Sequence, residues 1–308
     1  PWDQLVRELV TAKGSTFRNG AVTLFRDRRT PDEVGPLVSQ LFLGVRLECA
    51  KCHHHPFEKW GQDDFYSFAA YFAKIGRKGT GISSPISGSE EFFFPGTKGS
   101  VQHPVTGVEQ PPRPLWGEAQ MSDDVADPRD VLAAWMTSPN NAQFGQVMAN
   151  RVWADLMGRG LVEPVDDFRA TNPATNQPLL DALGAHFRDA EFSLTELVRA
   201  VANSHAYQLS SVPNTDNVAD TRNYSRHYRH RLRAEVLADA FGQISGVPQH
   251  YEAMPKGTQA KQIWTHRTTS LFLDTFGRPD PNQDPPCERT ADSTVVQTLH
   301  LMNSEKMH

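Results

Sequence analysis

The sequence predicts a mainly α protein, a helical two-part architecture with a small irregular β insert between the halves. Apolar residues recur at helical spacing behind recognisable start signals on both sides of the chain. Between them, residues 77–125 are rich in Gly, Pro and Ser and lose the helical period. The length of 308 residues also exceeds the usual domain of about 100–200. Residues 1–76 and 126–308 therefore read as two helical parts, with 77–125 as a linker or β insert.

Taken in order, Trp2, Leu5, Val6, Leu9 and Val10 have the spacing of a first helix, stopped by Gly14-Ser15-Thr16. Asn19-Gly20 marks a turn before the short apolar run Ala21 to Phe25. Thr30-Pro31-Asp32-Glu33 is a helix start: Thr30 caps, Pro31 sits where its missing N–H costs nothing, and Glu33 can complete a capping box. Val34, Leu37, Val38, Leu41, Phe42 and Val45 follow on one face. A further helix with Phe65, Phe68, Ala69 and Phe72 is expected to pair with it, Asp63 and Asp64 complementing its dipole. In the insert, Glu91–Phe94 and Ser100–His103 are expected to form a hairpin across Gly96-Thr97-Lys98-Gly99. Later helix starts are Asp127-Pro128, Asn176-Gln177-Pro178 and Ser193 with Glu196, and two last helices are expected near Leu232–Ile244 and Thr294–Met302.

The strongest chemical signal is Cys49-Ala50-Lys51-Cys52-His53, inside LECAKCHHHPFEKW. Two thiols three residues apart with an imidazole next to the second match covalent haem attachment, each sulfur taking a vinyl group while His53 binds iron. If the preceding helix ran into this segment, both sulfurs and the imidazole would share one side of a turn. Zinc is the alternative cofactor, held by Cys49, Cys52 and either His53 or His55, with a fourth ligand from elsewhere. A thioredoxin-like disulfide or two plain thiols also remain open, although no strand precedes Cys49 as a βαβ redox motif requires. His103, Met121 and Met148 are further candidates for the second axial position on iron. Phe57 and Trp60 offer aromatic cover for a porphyrin edge or plain core packing.

Composition excludes more than it assigns. With 31 basic and 36 acidic residues the net charge is −5, and no broad basic field for nucleic acid exists. The basic run Arg226 to Arg233 is local. No stretch of about 18 apolar residues is present, so no membrane span is expected in this piece. Cys287 stands far from the pair and reads as a packing residue. The chain opens at Pro1 with no initiator Met or apolar leader, as expected of a processed or excised piece. Arg151 and Arg169, with Glu163, Asp166 and Asp167, read as an ion-pair network rather than a hydrolase centre. Ser204 beside His205 lacks the Gly-x-Ser-x-Gly elbow of a hydrolase.

LGVRLECAKCHHHPFEKWGQDDFYSFAAYFA resembles the end of an uncharacterised cytochrome-associated domain of large exported planctomycete proteins. NRVWADLMGRGLVEPVDDFRATNPATNQPLLDAL, NSHAYQLSS and CERTADSTVVQTLHLMNS resemble its partner domain. This resemblance maps family positions onto Cys49, Cys52, His53 and His55, and onto Asn150, Arg151, Trp153, Gly158, Gly160, Glu163, Asp166, Asp167 and Phe168. His54 departs from the usual Asp or Asn. It implies an exported protein, periplasmic or at the cell surface, with an upstream haem domain outside this sequence and an association with polysaccharide use. The expected function is a c-type haem redox or electron-transfer module whose partner is a redox protein or that upstream domain. The alternative is a non-catalytic scaffold or glycan-associated module with zinc or a disulfide at the Cys/His cluster.

Overall fold

A computed structural model describes residues 1–79, 89–119, 121, 126–252, 254–263, 268–279 and 294–303. Eleven α-helices and five short strands are present among them, and the mainly α expectation holds. The chain divides into two compact units, Pro1–Tyr228 and Arg229–His308.

In the first unit, helix α1 (Trp2–Val10) buries Val6 and Val10, and Trp2 meets Phe42 edge-on at 5.9 Å. The run after Asn19 is a 3-10 turn leading into α2 (Thr23–Asp27), which places Phe25 in the core. Helix α3 (Pro31–Leu43) starts where expected, the Glu33 carboxylate accepting the backbone N–H groups of Arg29 and Thr30. Helix α4 (Gln62–Ala69) packs on α3, and Gly35 makes that crossing close: a Cβ there would lie 3.1 Å from the Ala69 Cα.

The expected hairpin does not form. Strand β1 (Gly14–Ser15), β2 (Ile75–Gly79) and β3 (Glu91–Pro95) make an antiparallel sheet with β3 in the centre, in register Ser15↔Phe92 and Arg77↔Phe93. Strand β4 (Val101–Gln102) pairs instead with β5 (Glu109–Gln110). Tertiary contacts override local turn chemistry here: Phe93 packs on Phe25 at 6.2 Å, and Glu91 is taken by Arg29 and Arg26. Gly99 then runs so close to Ala73 that a Cβ would stand 2.1 Å from its carbonyl oxygen, which carries the chain away from β3.

Helices α5 (Pro128–Met136), α6 (Ala142–Met157), α7 (Gln177–Asp189) and α8 (Leu194–Ala202) complete the unit. Asp127, Asn176 and Ser193 cap α5, α7 and α8 through their side chains. Glu196 pairs with Arg199 rather than closing a box. Phe42, Phe65, Phe68 and Phe72 share one core with Phe144, Trp153 and Phe187, so residues before 77 and after 126 bury the same apolar surface. Each of these rings is worth about 3–5 kcal/mol against truncation to Ala.

The second unit has its own small core of Ala238, Tyr251, Met254, Phe272, Leu273 and Phe276. Helix α9 (Ala234–Ser245) holds a 3-10 turn through Asp239, which accepts the Ala260 N–H at 2.6 Å. Helix α10 (Leu271–Thr275) stacks Phe272 on Phe276 at 4.4 Å, and α11 (Val295–Asn303) returns Gln297 to the Thr275 carbonyl. Burial pushes the Tyr251 phenol up to about 12. No helix among the described residues is long and apolar enough to cross a membrane. Cys287 lies outside the described residues.

Candidate functional site

Helix α3 stops at Leu43, before the cysteines, and the expected continuous helix into them is replaced by a break at Gly44. Gly44 is left-handed at φ 65, and a Cβ on it would meet Phe168 at 2.7 Å, so the position needs glycine on both counts. Buried Leu47 and Ala50 then plug a separate 3-10 turn, Glu48–Lys51, into the core. With those two residues inward, Cys49 and Cys52 face solvent as free thiols. The Cys49 carbonyl accepts the N–H groups of Cys52 and His53, so the whole Cys-x-x-Cys-His segment winds about one oxygen.

Neighbouring side chains pin this turn. Lys51 Nζ donates to Asp32 at 2.7 Å, a hydrogen bond that raises the Lys51 pKa. The Lys51 carbonyl accepts from Gln62 Nε2 at 3.0 Å and from the Tyr66 hydroxyl at 3.1 Å. Exposed His53 turns Nδ1 onto the His54 carbonyl at 2.6 Å. A carbonyl only accepts, so Nδ1 is the donor here, and in the neutral ring that tautomer puts the lone pair on Nε2.

The other singled-out residues divide. The His54 ring lies over Gly61, 3.1 Å from where a Cβ would be. His55 donates its backbone N–H to the Trp60 carbonyl, while its Nδ1 accepts from the Phe57 N–H at 3.2 Å, which puts its ring proton on Nε2. His103 is buried just after β4: its Nδ1 accepts from the Val105 and Thr106 N–H groups, its Nε2 faces Asp63 at 3.7 Å, and its ring lies tilted against Tyr66 at 6.0 Å. Phe57 is exposed beneath the Arg169 guanidinium, whereas Trp60 is buried against Trp116. Met121 is exposed and Met148 is part of the core margin. Among the described residues no three His, Cys, Asp or Glu side chains stand together as a metal group.

A second cluster builds up from the α6 end. Buried Asn150 holds the following loop by accepting from the Val162 N–H at 3.0 Å and donating to the Val162 carbonyl at 2.9 Å. Glu163 accepts the Gly160 N–H, and the Tyr224 hydroxyl donates to the Gly160 carbonyl. The loop so fixed delivers Asp166 to Gln40 at 2.8 Å and to Arg46 at 2.5 Å. It also pairs Asp167 with Arg169 at 2.9 Å, donates the Phe168 N–H to the Gly44 carbonyl, and donates the Ala170 N–H to Glu58 at 2.5 Å. Asp166 and Asp167 thus sit in ion pairs, as expected. The partners differ in part: Glu163 serves its own loop, Arg151 reaches only the Gln40 carbonyl at 3.5 Å, and Arg46 takes Asp166 instead. No spacing signal points to Arg46, which lies 120 residues from Asp166.

Between the two clusters lies a small, shallow cleft lined by Gly44, Arg46, His55, Glu58, Trp60 and Arg169, with Asp167 and Phe168. It is the place where the Cys/His stretch and the Asp-Asp-Phe-Arg stretch, separated by about a hundred residues, become neighbours.

The PSD1 model, described as a protein of unknown function (DUF1553), matches residues 128–308, and the PSCyt2 model, also a protein of unknown function (DUF1549), matches residues 1–77. The chain belongs to this family, the paired uncharacterised domains of planctomycete-type cytochrome-associated proteins. Comparison with curated proteins and with solved structures gives no match.

Proposed function

We propose that the Cys49–His53 turn attaches haem c and that the chain is an exported redox or electron-transfer module. The observation that carries this reading is the pairing of two free, exposed thiols on one turn with an exposed imidazole held through Nδ1 on the His54 carbonyl. Cys49 and Cys52 would hold the macrocycle through thioethers and His53 would bind its iron. The cofactor supplies one-electron transfer at a potential set by its surroundings. Leu47 and Ala50 fix the turn from below, and the His54 carbonyl orients the His53 ring. The exposure of Cys49, Cys52, His53 and Phe57 leaves the cofactor open to solvent, which suits contact with a redox protein or an upstream haem domain.

Zinc is the competing cofactor, and it requires four ligating atoms within about 2.3 Å of one centre. The described His, Cys, Asp and Glu side chains form no group of three, so that reading needs the loop to rearrange. Export and a link to polysaccharide use rest on the family alone.

Expression in an exporting host with haem-attachment machinery tests the proposal. A red protein is expected, with Soret absorption and one haem mass that survives denaturation. Cys49→Ala and Cys52→Ala should each leave a single thioether, and His53→Ala should keep the adduct while changing its spectrum. Colourless chain with intact thiols, or one tightly bound zinc in place of haem, would overturn the redox reading.

A further inference from the structure

Three indoles stand in file between the Cys/His turn and α5. The Trp60 ring lies 6.5 Å from that of Trp116, which lies 5.1 Å from that of Trp135. Both separations fall within the range of about 4.5–7 Å at which aromatic rings touch. Trp60 is tied to the turn: its carbonyl accepts the His55 N–H at 2.8 Å, and no more than about 11 Å of extended chain separates Cys52 from His55. Trp116 is held in line by the residues before it, where the Arg113 N–H donates to the Ser67 carbonyl, the Arg113 guanidinium pairs with Asp64 at 3.1 Å, and Leu115 is buried. Trp135 ends the file half-buried on α5.

The surroundings of the three rings give the file a direction. An indole that loses an electron becomes a cation, and burial opposes that charge at Trp60, which is 6% exposed. The Lys59 ammonium, 4.8 Å from the Trp60 ring centre, repels it further. Water reaches Trp135, so a positive charge is better solvated there and the ring proton has somewhere to go.

We propose that Trp60, Trp116 and Trp135 form a one-electron relay that carries oxidising equivalents from the Cys/His turn to the surface of α5. An indole yields an electron only to a strong oxidant, so the relay serves a peroxide-derived oxidant arising at a redox cofactor on the turn, and its use rests on the haem reading. The oxidant is reduced by one electron from Trp60; Trp116 refills Trp60, and Trp135 refills Trp116. The Trp135 cation releases its ring N–H proton to water, and a dissolved thiol returns one electron and one proton to it.

The test needs no haem. In the chain produced without haem attachment and carrying Cys49→Ala and Cys287→Ala, a ruthenium polypyridyl on Cys52 is photo-oxidised with a cobalt(III) ammine as electron acceptor. Transient absorption is expected to show an indolyl radical that forms as the oxidised ruthenium recovers. Trp116→Phe keeps a ring in place but cannot be oxidised, and it is expected to lose most of the radical. Trp116→Tyr, whose ring can be oxidised, is expected to restore part of the ruthenium recovery, which packing alone would not do. Trp135→Phe gives a second reading of the same loss at a half-buried position should Trp116→Phe fail to fold, and Trp2→Phe, outside the file, is expected to leave the radical unchanged. An equal radical yield with and without Trp116, or equal losses in Trp116→Phe and Trp116→Tyr, would overturn the relay. Failure of haem attachment sinks the redox reading and leaves this result standing, whereas an unmoved radical yield sinks the relay alone.

Discussion

At the residue scale, a few buried polar groups hold the scaffold of the first unit. Arg129 is 1% exposed, yet its charge is met from three sides: Asp127 at 2.7 Å, the Ala12 carbonyl at 2.9 Å and the Phe25 ring at 5.1 Å. Through the Ala12 carbonyl Arg129 ties the start of α5 to the segment just after α1, and Asp127 also accepts the Arg129 N–H as the helix cap. Removing the carboxylate leaves a buried cation unpaired, so Asp127→Ala is expected to cost about 3–5 kcal/mol in urea unfolding. Replacing the pair by well-packed apolar residues is expected to cost far less, because no uncompensated charge remains. This contrast was not legible from spacing: Asp127 reads as a cap in the sequence, but the depth of Arg129 follows from packing against Phe25.

Among the elements, the β3 strand shows where local rules give way. Its alternation of inward Glu91 and Phe93 with outward Phe92 and Phe94 is visible in the sequence, but its partners are not. Arg29 donates to Glu91 at 3.0 Å and holds its carboxyl below the ordinary value of 4.5, with Arg26 and Arg77 adding to the effect. A carboxyl whose folded pKa is depressed stabilises the fold fully above its unfolded value and loses that contribution as pH falls through the folded one. The urea midpoint of the first unit is therefore expected to fall on acidification below about pH 4.5, by the ordinary glutamate value. Glu91→Gln should lower the midpoint at neutral pH and remove that part of the acid dependence. An equal acid slope in both proteins would dismiss the Arg29–Glu91 contact as a stabilising one.

For the whole molecule, the apolar core runs through the segments matched by both family models, because Phe42 and Phe68 pack in the same cluster as Phe144 and Phe187. A cut between 77 and 128 exposes that surface on each side, whereas a cut after Tyr228 follows the division into compact units. Residues 1–228 are accordingly expected to melt cooperatively by circular dichroism, while residues 128–228 alone should show no cooperative transition. A cooperative melt of 128–228 would mean that the shared core is dispensable.

The sequence alone determined the helical class, most helix starts and the Cys-x-x-Cys-His turn, because caps and periodicity act within a few residues and adjacent thiols and imidazoles need no distant partner to be recognised. Even the ion-paired character of Asp166 and Asp167 was readable from the density of opposite charge nearby. What only the tertiary structure decided was which partners meet across the fold: β3 with β1 and β2, Asp166 with Arg46, Ala170 with Glu58, and hence the cleft beside His55. Such contacts are chosen by the burial of a common core, whose free energy depends on the summed apolar surface and not on any local pattern that names the partner.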